Sequence, residues 1–94
     1  MAVTKHTKDF LDGLIDYYIA EAPSYKQIAQ TYHPEVQSVS DAAFGIITGC
    51  VYSAFLRAYE NENRTVELDD LQEFNKILKE RAASIKSAIN ESPE

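Results

Sequence analysis

Between Ala42 and Leu56 fifteen consecutive residues carry no charge, and this stretch limits the possible folds more than any other. A helix that is apolar on nearly every side is either buried among other helices or lies in a membrane. At 1.5 Å per residue the run covers about 22 Å, short of the roughly 30 Å hydrocarbon core of a bilayer. Thr48, Tyr52 and Ser53 dilute it further. The stretch therefore predicts a central buried helix over about residues 39–60, and a membrane span is not expected. Ser38 is placed to cap it, with Asp41 three residues on.

Amphipathic segments lie on both sides. From Asp9 to Ala22, Phe10, Leu11, Leu14, Ile15, Tyr18 and Ile19 recur at three- and four-residue steps, opposite Asp9, Asp12 and Asp16. Thr7 reads as the cap, the early aspartates suit the positive end of the helix dipole, and Pro23 stops the helix. Ser24 can cap a short second helix, Tyr25 to about Tyr32, with Tyr25, Ile28, Ala29 and Tyr32 on one side; His33-Pro34 ends it. After the polar loop from Asn61 to Thr65, a last helix is predicted with Asp69 as its cap and Gln72 three residues on, Thr65 being the alternative start. Leu71, Phe74, Leu78, Ala82, Ile85 and Ile89 form its stripe. No strand-like alternation is long enough to pair. The expected fold is all-α, a single domain over 1–94, built as a three- to four-helix bundle with residues 1–6 and 91–94 frayed.

Charge and cysteine count exclude several functions. Fifteen acidic against nine basic residues, a net charge of −6, argue against binding nucleic acid through phosphates. That is about one net charge per sixteen residues, too sparse for a mimic of DNA. One cysteine, Cys50, excludes a disulfide framework; it falls inside the apolar run and reads as packing. The polar start of the chain lacks an apolar signal region, so a cytoplasmic location is expected.

No motif for catalysis stands out. Neither His6 nor His33 has the Glu-x-x-His or His-Glu-x-x-His spacing that a metal site in a bundle needs, and no Cys-x-x-Cys occurs. The Asp9, Asp12 and Asp16 face reads as solvated. Gly-x-Ser-x-Gly and phosphate-cradling glycine loops are missing too. The expectation is a protein that is not an enzyme and takes no cofactor or metal.

Binding remains. Gly45, Gly49 and Ser53 repeat at four-residue spacing, a stripe that lets another backbone approach closely. Tyr52 and Tyr59 share a helix face, and tyrosine suits interface anchors. Gly45, Gly49, Tyr52, Ser53 and Tyr59 are the interface candidates. Glu60, Glu62, Glu67, Asp69 and Asp70 are candidates for an acidic surface that meets a partner. Gly49→Leu is expected to destabilise the fold or its dimer. The expected function is a small acidic interaction module, homodimeric, that binds or occludes another protein. In size and helicity the chain is similar to bacteriocin immunity proteins, some of which are four-helix bundles with a tyrosine-bearing third helix. That similarity implies an immunity- or phage-antagonist-type role, and it is one of architecture without a shared motif. A small ligand-binding bundle, with His33 and tyrosine hydroxyls around a pocket between helices, is the third possibility.

Overall fold

Periodic apolar residues, caps and prolines divide the chain into four helices. The structure, a computed structural model that describes residues 3–93, has α1 (Lys5–Ala20), α2 (Ala22–Gln30), α3 (Val39–Asn61) and α4 (Leu68–Glu91), with no strand among the described residues. It is the expected all-α bundle, 40 × 22 × 19 Å, around the apolar third helix.

Each end has a local cause. Thr4, not Thr7, caps α1: its Oγ1 accepts the Thr7 amide at 3.1 Å, while Thr7 is buried within the first turn. The start moves forward because Val3 is fully buried and anchors the chain ahead of the helix. Asp9 consequently lies beyond the first turn and takes Lys5 as its partner at 2.7 Å, in place of the helix dipole. Only Glu21 separates α1 from α2. Pro23 sits in the first turn of α2, where a missing amide costs no hydrogen bond, so one helix ends where Pro23 begins the next. Ser24, expected as a cap, lies inside α2.

The buried stripe of α2 is Ala22, Lys26 and Ala29, while Ile28 and Tyr32 are exposed. Lys26 is tolerated there because its ammonium donates to the Ser92 carbonyl at 2.9 Å, at the negative end of α4. At the expected frayed ends, Val3 and Ser92 are buried and Thr4 caps α1, while Lys5, His6, Glu91 and Pro93 are exposed. Residues 1, 2 and 94 lie outside the described residues.

Ser38 caps α3 as predicted, its Oγ accepting the Asp41 amide at 3.2 Å. The other end closes in a Schellman turn. Asn63 takes the left-handed conformation (φ 55°), its amide bonds the Glu60 carbonyl, and the Arg64 amide bonds the Tyr59 carbonyl at 2.9 Å. Asn stands where glycine is commonest because its short polar side chain tolerates positive φ. Then Glu67, two residues before the predicted Asp69, caps α4, and its amide donates to the Asp70 carboxylate at 2.8 Å.

α3 packs against all three other helices. Ala43, Ile47, Val51, Phe55 and Tyr59, at strict four-residue steps, form its core stripe. They meet Leu11 and Ile15 of α1 and Phe74, Ile77, Ile85 and Ile89 of α4 in one cluster. Phe55 lies on Phe74 with ring centroids 4.6 Å apart. α4 runs antiparallel to α3, with Ser40 bonded to Asn90 at one end and Tyr59 to Asp70 at the other.

Candidate protein-binding face

The long helix carries a second stripe that the bundle leaves bare. Gly45, Gly49, Tyr52, Ser53 and Leu56 are exposed, and the first charged residues around them are Asp41, Arg57 and Glu60 near the ends. Over the most apolar 18-residue window of α3 the mean hydropathy is 1.5, yet only 28% of the window is buried. The other three helices therefore cover one side of α3. By length and composition α3 is also long enough to cross a membrane. The 22 Å span of the uncharged run understates it, because the helix continues to Val39 and Asn61; 23 residues extend about 34 Å.

Of the five interface candidates, Gly45, Gly49, Tyr52 and Ser53 lie together on this face. A Cβ built on either glycine meets no atom within 4 Å, so both open onto free space. This bears on one half of the Gly49→Leu expectation: within one chain no atom lies within 4 Å of where the side chain would begin. Tyr52 is 41% exposed and leans its ring on Phe74, with centroids 5.5 Å apart. Leu56 was missed as an interface residue, although its position, seven after Gly49, places it on the same stripe. Phe10 was assigned to the core of α1 and is 43% exposed beside the C-terminal half of α3.

Tyr59 is the correction among the interface candidates. It is buried, and its hydroxyl donates to Asp70 Oδ1 at 2.9 Å. The Schellman turn brings Arg64 back over it, with the guanidinium carbon 4.3 Å from the ring centroid. Burial first, and then the hydrogen bond to Asp70, hold the Tyr59 phenol above its ordinary range.

The acidic candidates divide in the same way. Asp70 is buried, accepting from Tyr59 and from the Glu67 amide, and so is no partner surface. Glu62 pairs with Arg64 at 3.3 Å. Glu60, Glu67 and Asp69 are exposed. On α1, Asp9 and Asp12 face Lys5 and Lys8, and Asp12 and Asp16 share Arg81 of α4. Among the described residues no group of three or more His, Cys, Asp or Glu is placed to hold a metal ion. His33 lies exposed in the turn after α2, its amide donating to the Gln30 carbonyl at 3.2 Å.

Compared with protein-family models, with curated proteins and with solved structures, the chain matches none of them.

Proposed function

We propose that the protein is a small interaction module that self-associates through the uncovered face of α3 and in that form binds or occludes a protein partner in the cytoplasm. The exposure of an uncharged stripe on the most apolar helix carries this reading. Contiguous apolar surface on a small domain marks an interaction site more often than scattered exposure does. Gly45 and Gly49 suit close backbone approach, while Tyr52 and Leu56 supply apolar contact area beside them. A four-helix bundle also fits the bacteriocin-immunity alternative, but no residue of the face favours that role.

Light scattering on a gel-filtration column at low micromolar concentration tests the proposal. The expected mass is twice 10.6 kDa. Gly49→Leu is the informative variant, since a Cβ at Gly49 enters open space in the lone chain. Helix propensity favours leucine over glycine by about 0.8 kcal/mol. Its melting temperature should hold or rise while its mass falls to that of one chain. A wild-type monomer at every concentration without binding of a hydrophobic dye, or a Gly49→Leu dimer as tight as wild type, would refute self-association. Partitioning into lipid instead would make the α3 face a membrane surface.

A further inference from the structure

A different surface lies where the start of α1 meets the last turns of α3. There a cavity of about 310 Å3 is lined by His6 and Phe10 from α1 and by Ala54, Arg57, Ala58 and Asn61 from α3. Its apolar part is the Phe10 ring with the two alanine methyls. Its polar part is a guanidinium, an imidazole and a carboxamide, with the Thr7 hydroxyl and the Glu62 carboxylate also in the lining.

The chain is acidic overall, and its other cations beside α1 are committed: Lys5 to Asp9, Lys8 to Asp12, and Arg81 to Asp12 and Asp16. Arg57 has no carboxylate partner among the described residues, and His6 makes no hydrogen bond there. The one carboxylate at the rim, Glu62, is taken by Arg64 at 3.3 Å. A planar guanidinium with five donors is shaped for two-point contact with a carboxylate. The volume sits at the lower end of small-molecule cavities and suits a compact body of about a single ring, with one side open to solvent.

We infer that this cavity binds a small organic monocarboxylate, with Arg57 and Asn61 holding the carboxylate, His6 beside it, and Phe10, Ala54 and Ala58 receiving a compact apolar body. With Glu62 paired to Arg64, Arg57 is the guanidinium left to set the charge of the guest. A monoanion balances Arg57, whereas a phosphate monoester brings a second negative charge that Arg57 alone does not balance.

The test is a titration of the isotope-labelled full chain, followed by amide chemical shifts, with phenylacetate, its neutral analogue phenylacetamide, and phenyl phosphate. Saturable shifts at His6, Phe10 and Asn61 are expected with phenylacetate in the millimolar range. The amide and the phosphate should bind more weakly. Arg57→Gln should weaken phenylacetate by about tenfold and leave the melting temperature unchanged, since Arg57 is exposed and unpaired. Three outcomes would overturn the site: no saturable response to phenylacetate, equal affinity in Arg57→Gln, or equal affinity for the amide. Tighter binding of phenyl phosphate would overturn the preference for a monoanion.

Discussion

At the residue scale, Tyr59 and Asp70 are the pair on which the end of the bundle depends. A buried carboxylate is costly unless its oxygens are satisfied, and here one takes the phenol and the other the Glu67 amide. Tyr59→Phe removes one of the two and should cost about 1.5–3 kcal/mol, read from denaturant unfolding at neutral pH. The same contact has a pH signature. Because the folded phenol is held above its ordinary value, Tyr59 favours the folded state fully below about pH 10 and loses that contribution as pH rises through the folded value. Tyr18 and Tyr25 shift in the same direction, by burial first and the nearby Cys50 second. Unfolding curves should therefore show wild type losing stability above about pH 10, and Tyr59→Phe losing less of it.

At the element scale, the exposed glycines of α3 oppose the helix they belong to. Glycine in a helix interior is disfavoured relative to alanine by about 0.5–1 kcal/mol, and neither site has a neighbour that a methyl group would strike. Gly45→Ala and Gly49→Ala should each raise stability by about that amount in thermal melts. A loss would mean that the glycines are needed within one chain. If both gains are measured while association weakens, the glycines serve the contact between chains.

For the whole molecule, the segments around Val3 and Ile89 belong to the core. Val3 and Ile89 are fully buried, and Lys26 ties α2 to the end of α4. A chain beginning at Lys5 loses the buried Val3 side chain, about 1.5 kcal/mol or more, and the Thr4 cap, about 1 kcal/mol. Against a total stability of about 5–15 kcal/mol this should lower the melting temperature by several degrees. A melt indistinguishable from the full chain would show that the first residues contribute nothing to the fold.

Local chemistry in the chain decided the four helices. Apolar periodicity placed α1, α3 and α4, Ser38 marked its helix, and Pro23 and His33-Pro34 marked the breaks. The cap positions were harder to read: Thr4 and Thr7 are the same residue type and packing chooses between them, while at α4 Asp69 is by type the better cap than the Glu67 that takes the position. Which face of α3 is buried was only partly legible: Gly45, Gly49, Tyr52 and Ser53 marked the open face, but with no charge in the run nothing set it sharply apart from the stripe of Ala43, Ile47, Val51 and Phe55. Tyr52 and Tyr59 look alike along the chain. Only the fold, by turning Asn63 left-handed and bringing Asp70 against the Tyr59 hydroxyl, made one of them core and left the other on the surface.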